Sequence, residues 1–160
     1  MRNQILSLLE QNAELKHDQI AVMLDMSVSE VEKEIQAMTE EGILLKSKAL
    51  INWEKTDREF VTAQIELKVT PQRGEGFDKV AERIYQYPEV KSVYLVSGGF
   101  DIAVTIEGKT MKEVALFVAE KLATMEYVNS TKTHFILKKY KQDGVIFSQQ
   151  GKDERVVISL

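Results

Sequence analysis

No cysteine occurs among the 160 residues, which excludes disulfide scaffolds, thiol nucleophiles and Cys-ligated zinc and fits a reducing compartment. Histidine is nearly as scarce. His17 and His134 stand in different segments, with no H-E-x-x-H spacing and no nucleophile elbow around any serine. Neither a metal site nor a catalytic triad can be assembled, so the chain is expected to be no enzyme and to need no cofactor. "GKT" at 108–110 lacks the upstream glycine of a phosphate loop and is expected to be a strand-to-helix turn with Thr110 as the helix cap. Long apolar runs are missing too. No stretch of about 18 apolar residues and no basic-then-apolar leader is present, which points to a cytoplasmic protein without membrane contact. The last absence is an excess of positive charge, since the net charge is −4 and residues 1–57 carry 6 Lys/Arg against 11 Asp/Glu. Non-specific attraction to nucleic acid rests on Lys and Arg displacing counterions, so any DNA contact must be local.

What is present is a hydrophobic fraction of 44%, enough for a globular core in one ordinary domain or two small ones. Ile5, Leu8 and Leu9 recur at helical spacing, and "HDQIAVML" places Ile20, Ala21 and Leu24 on one face of a second helix. Asp25-Met26 breaks that helix. Ser27 and Glu30 then form a capping box that starts a third helix, whose buried stripe is expected to be Val28, Val31, Ile35 and Met38 and whose end is set by Gly42. "ILLKSKALINW" follows as two short strands around a basic turn at Lys46-Ser47-Lys48. Three helices and a hairpin make a winged helix-turn-helix, expected over residues 1–57. Such units also serve as dimerisation or protein-binding modules.

Past the linker "EKTDRE" the pattern changes to strand "FVTAQIELKV", turn-rich "TPQRGEG", a helix with Phe77, Val80, Ala81 and Ile84 that Pro88 stops, strand "VKSVYLV", turn "SGG" and strand "FDIAVTI". A helix with Met111, Val114, Ala115, Val118, Ala119 and Leu122 buried and a strand from "STKTHFILKKY" complete the order β-α-β-β-α-β. That order is the ferredoxin-like split βαβ, so the fold class is α+β, with this second domain over 58–141. The tail at 142–160 holds two short apolar runs, "GVIF" and "RVVISL", as possible edge strands. The long apolar first strand is expected at a sheet edge, where it would be an aggregation site unless a second chain paired with it.

Two stretches, "EEGILLKSKALINWEK" and "VYLVSGGFDIAVTI", in this order and about 50 residues apart, resemble the Lrp/AsnC (leucine-responsive, or feast/famine) transcriptional regulators. The first is similar to the family's E-x-G-V-I-x-x-Y-x-A-x-(I/L)-(N/D) stretch, the second to its V-x-x-V-x-(T/S)-G-x-(Y/F)-D-x-x-(L/V) turn. The resemblance covers nearly the whole chain. It implies a winged helix joined to a βαββαβ ligand-sensing domain, operator DNA and an amino-acid effector as partners, and a homodimer that assembles further, commonly as four dimers in a ring. One departure stands out: where the family's recognition helix presents arginines, this chain has Lys33, Glu34, Gln36 and Ala37.

The inward stripe leaves Ser29, Glu30, Glu32, Lys33, Gln36 and Ala37 facing the groove, and Ser29, Glu32, Lys33 and Gln36 are the base-reading candidates. Glu can accept from the cytosine amino group, Gln can pair with adenine and Ser can serve either, so readout survives without arginine. Phosphate anchoring is expected from Lys46 and Lys48 in the wing, helped by Arg2, Lys16 and His17 at helix ends. For the effector, Gly98 and Gly99 offer bare backbone amides to a carboxylate and Asp101 an acceptor to an ammonium, the two halves of a zwitterion site. Gly-Gly is equally an ordinary hairpin turn whose amides Asp101 could satisfy. The resemblance favours the effector, bound where dimers meet, and adds Thr131 and Thr133 on the last strand. The expected function is a sequence-specific DNA-binding regulator responsive to an amino-acid-like molecule. The alternative is a sensing or assembly module whose winged helix contacts protein.

Overall fold

The computed structural model describes residues 1–70 and 76–147. Most of the turn expected over "TPQRGEG", and the run "RVVISL", lie outside the described residues. The chain divides into two compact units, Met1–Ile51 and Asn52–Leu160.

The first unit holds α1 (Arg2–Gln11), α2 (His17–Leu24) and α3 (Val28–Glu40). Their apolar stripes meet in a core of Ile5, Ile20, Ala21, Val31 and Met38, with Leu8, Leu9, Leu24, Ile35 and Leu44 packed against it. Asp25 adopts the left-handed conformation at φ 53°, and the Met26 N–H reaches back to the Ala21 carbonyl, which closes α2 and sets the tight turn into α3. Gly42, at φ +71°, ends α3 in the same way, with the Ile43 N–H bonded to the Met38 carbonyl at 2.8 Å.

Val28 is 41% exposed rather than buried, because it occupies the first position of α3, before the turns that face α1 and α2. The wing hairpin is absent as a ladder: residues 45–52 form no strand. Leu45 is 84% exposed, and a two-stranded ribbon with no apolar face to bury is marginal by itself.

The second unit contains β1 (Val61–Val69), α4 (Asp78–Tyr85), β2 (Val90–Leu95), β3 (Ile102–Gly108), α5 (Met111–Phe117) and β4 (Val128–Phe135). The four strands form one antiparallel sheet in the order β2-β3-β1-β4, the ferredoxin-like arrangement. β1 is therefore central, not an edge. It bonds to β3 along Val61–Leu67 and to β4 along Ala63–Val69, so the pairing expected from a second chain is supplied by this one. Its apolar residues Ala63, Ile65, Leu67 and Val69 are the ones buried against the core, while Gln64 and Lys68 between them are exposed.

Ala63, Ile65, Leu67, Ile102, Val104 and Ile106 cover one face of the sheet, and Val80 and Ile84 of α4 and Val114 and Phe117 of α5 pack with them in one core. Tyr87 meets Phe117 edge-on, with ring centroids 5.3 Å apart. After Phe117 the helix widens into a π-type turn over Val118–Leu122, closed by the Ala123 N–H on the Val118 carbonyl. The extra residue in that turn brings both Phe117 and Val118 to the core. Met111, Ala115 and Ala119, expected to be buried, are exposed, because the contact stripe is the narrower one of Val114, Phe117, Val118 and Leu122. Of the tail runs, "GVIF" contributes β6 (Val145–Ile146), which pairs with β5 (Lys141–Gln142) in a separate hairpin and not with the main sheet.

Ile65 is fully buried at the centre of the sheet. Ile65→Ala is expected to destabilise the second unit by about 2–5 kcal/mol through lost burial and a residual cavity. A denaturant midpoint unchanged from wild type would contradict this packing.

Candidate functional site

The segment "SVSEVEKEIQAMTEEG" carries five glutamates and one lysine, and each glutamate has a partner in the fold. Glu30 belongs to the cap. Its backbone N–H bonds to Ser27 Oγ at 3.2 Å, while its carboxylate accepts from the Ser27 hydroxyl and amide at 2.7 and 2.9 Å. Those bonds from Ser27, hydroxyl first, hold the Glu30 carboxyl below its ordinary pKa. The cap is thus fully formed above the usual glutamate range and is lost as the pH falls through the depressed value.

Arg2 accounts for two more. From the first turn of α1 its Nε donates to Glu34 at 2.6 Å and its Nη1 to Glu41 at 2.7 Å. Glu41 and then Glu34 raise the arginine's pKa, so the clamp is charged at any working pH. Glu32 Oε1 lies 3.5 Å from His17 Nδ1, and Glu40 accepts from Gln36 Nε2 at 2.9 Å. The acidic helix is less repulsive than its composition, because part of its charge is answered by α1 and α2.

These contacts reassign some expected roles. Arg2 is committed to two carboxylates and is not a free phosphate anchor, and His17 faces Glu32. Ser29, Glu32, Lys33 and Gln36 all lie exposed on α3, as do Lys46 and Lys48 on the segment that follows. Lys46 and Lys48 flank an open groove of about 700 Å³ against Asn3, Ser7 and Glu10 of α1. Glu40, which fixes the Gln36 amide, was missed. Its spacing of four residues from Gln36 is the signal that could have found it.

In the second unit the loop between β2 and β3 is closed by the Val96 N–H on the Asp101 carbonyl, 2.9 Å. Asp101 is a strut between strands: its N–H donates to the Leu67 carbonyl at 2.9 Å and its Oδ2 accepts from the Val69 N–H at 2.8 Å. The other carboxylate oxygen has no partner among the described residues. Gly98 and Gly99 are exposed, with no neighbouring atom within 4 Å of where a side chain's Cβ would stand and no left-handed φ, so what they provide is open backbone and not a strained turn. Thr131 pairs with Leu67 from the β4 side, which brings it to the same end of the sheet as Asp101 but across β1, roughly two strand spacings of ~4.8 Å away. Thr133 pairs with Ile65, one pleat further off.

With this architecture in view, the Lrp/AsnC ligand binding domain model matches residues 62–146. Over 157 residues, 98% of this chain and 95% of the relative, the sequence is 48% identical to the uncharacterized HTH-type transcriptional regulator YugG of Bacillus subtilis. The chain belongs to the Lrp/AsnC family. Solved structures agree in fold: the Mycobacterium tuberculosis leucine response regulatory protein superposes with a TM-score of 0.75 at 18% identity, covering 92% of this chain and 97% of that one. A Neisseria meningitidis transcriptional regulator in complex with L-Met gives 0.69 at 21% identity, covering 88% and 90%. As an Lrp/AsnC member the chain is a helix-turn-helix transcription regulator and not an enzyme. Among its described residues no helix is long and apolar enough to cross a membrane, and no cluster of His, Cys, Asp or Glu is placed to hold a metal.

Proposed function

We propose that this Lrp/AsnC protein binds operator DNA through α3 and the Lys46–Lys48 segment, and adjusts that binding to an amino acid held at the β2–β3 loop. The observation that carries the DNA half is the internal pairing of the α3 glutamates, which leaves Ser29 and Lys33 exposed beside Gln36. Glu40 orients the Gln36 amide, as a base-reading group requires. Gln36→Ala is expected to change which operator sequence is preferred by about 1–3 kcal/mol at one position while leaving non-specific affinity alone. A uniform loss across sequences, measured by binding to a randomised operator pool, would make Gln36 a structural residue only.

The effector half rests on the exposed Gly98-Gly99 backbone in the same loop as the second oxygen of Asp101, unpartnered among the described residues: amide donors for a carboxylate and an acceptor for an ammonium, with Thr131 and Thr133 as secondary contributors. The L-Met complex of the Neisseria protein supports an amino acid as the ligand class. Calorimetry with each of the twenty amino acids is the test. Binding by one or a few is the expected result, and silence from all of them leaves the loop as structure.

A homodimer, and a higher assembly such as an octamer, complete the reading. Support comes from the sheet face turned away from α4 and α5, where Gln64, Glu66, Lys68 and His134 lie and no helix of the second unit packs. A second copy on that face would present two helix-turn-helix units to a two-fold operator. A light-scattering mass of one chain at micromolar concentration would contradict it.

A further inference from the structure

At the end of the sheet remote from the β2–β3 loop, where Val61 pairs with Gly108, lies an open basin of about 710 Å³. Its size falls within the range of small-molecule sites. Arg58, Phe60, Glu89, Lys91, Lys109 and Glu113 are among the residues that line it. Beneath it a chamber of about 20 Å³ lies between Glu89, Gly108 and Phe117, large enough for one water-sized group.

The charges around this basin do not cancel. Lys91 pairs with Glu107 at 3.7 Å, and the Glu113 carboxylate accepts from the Lys109 backbone N–H at 2.6 Å. Glu89 is left over. Its Oε2 is buried and without a hydrogen-bond donor, one of two such side-chain oxygens among the described residues. Burying an unmet carboxylate oxygen is costly, and folded proteins seldom do so without a partner. Also lining the basin, Arg58 stacks over Trp53 at 4.4 Å and Phe60 at 5.4 Å, and makes no ion pair with a described residue. Nor does the Lys109 ammonium.

We propose that this basin is a second ligand site, separate from the β2–β3 loop, for a small molecule that carries a primary ammonium at one end and a carboxylate at the other. The ammonium enters the chamber and donates to Glu89 Oε2, and the carboxylate meets Arg58 and Lys109. Arg58, Glu59 and Phe60 belong to the segment between the unit boundary at 51/52 and β1, so a molecule bound here engages the connection to the helix-turn-helix unit directly.

L-Lysine has this chemistry, and Nε-acetyl-L-lysine lacks the terminal charge. Hydrogen exchange on the wild-type chain at millimolar L-lysine is expected to be slowed at the amides of 89–91 and 107–110 and unchanged at 96–101. By calorimetry Nε-acetyl-L-lysine, and L-lysine with the isosteric Glu89→Gln variant, are each expected to bind at least tenfold more weakly. L-Lysine binding should persist in Asp101→Asn, which keeps this site distinct from the effector loop. Protection confined to 96–101, no protection at all, or undiminished L-lysine binding by Glu89→Gln would overturn the proposal.

Discussion

Replacing Lys46 and Lys48 together by alanine is expected to flatten the salt dependence of DNA binding from a log–log slope of about −4 to −5 to about −1, with affinity falling alike on every sequence. The wild-type figure follows from two or three phosphate contacts in each half-site of a dimer at about −0.9 each. Two lysines in each of two half-sites account for about 3.6 of that slope. The effect is large because the structure removes two of the three other anchors expected at helix ends and leaves only Lys16. Arg2 is clamped by Glu34 and Glu41, and His17 faces Glu32, so neither can substitute. Lys46 and Lys48 are exposed on a segment with no ladder of its own, which leaves them able to follow a phosphate backbone. Fluorescence anisotropy with specific and scrambled duplexes over a salt series reads both numbers. A slope unchanged in the double variant would move the phosphate contacts elsewhere on the unit.

The second large effect is at Asp101. Asp101→Ala should abolish the amino-acid response and also lower stability by about 1–3 kcal/mol, because the Val69 N–H loses the oxygen that accepts it at 2.8 Å. Asp101→Asn separates the two roles. An amide oxygen still accepts from Val69, so stability should be close to wild type, while an ammonium no longer meets a carboxylate and the response should be lost. Thermal unfolding and calorimetry with the responding amino acid check the pair. If both variants respond normally, the residue is a strut between β1 and β3 and the ligand lies elsewhere.

How much of this was legible in the sequence follows the distance over which each feature is decided. The capping box of Ser27 and Glu30, the Thr110 cap and the stop at Gly42 are local chemistry within four residues, and each forms as expected. The order β-α-β-β-α-β was equally legible, since alternation and helical spacing are properties of single elements. The position of β1 was not. A long apolar strand reads the same whether a neighbour or a second chain lies beside it, and only the sheet order places it at the centre. The pairing of Arg2 with Glu34 and Glu41 spans 32 and 39 residues, so no window of sequence contains it. The wing was misjudged because "ILLKSKALINW" has the composition of strands, whereas a strand needs an apolar face to bury, and none is provided within the first unit.

An acidic third helix whose carboxylates are held by the fold is expected to serve DNA still, and a gel shift of the wild-type chain against the DNA upstream of its own gene reads this directly. At about 50 mM salt, a condition that favours phosphate contacts, a discrete retarded complex is expected that weakens steeply as salt is raised and shifts when the responding amino acid is added. No complex at that salt, with correctly folded protein, would rule out DNA as the partner of α3 and leave the helix-turn-helix unit as a surface for protein.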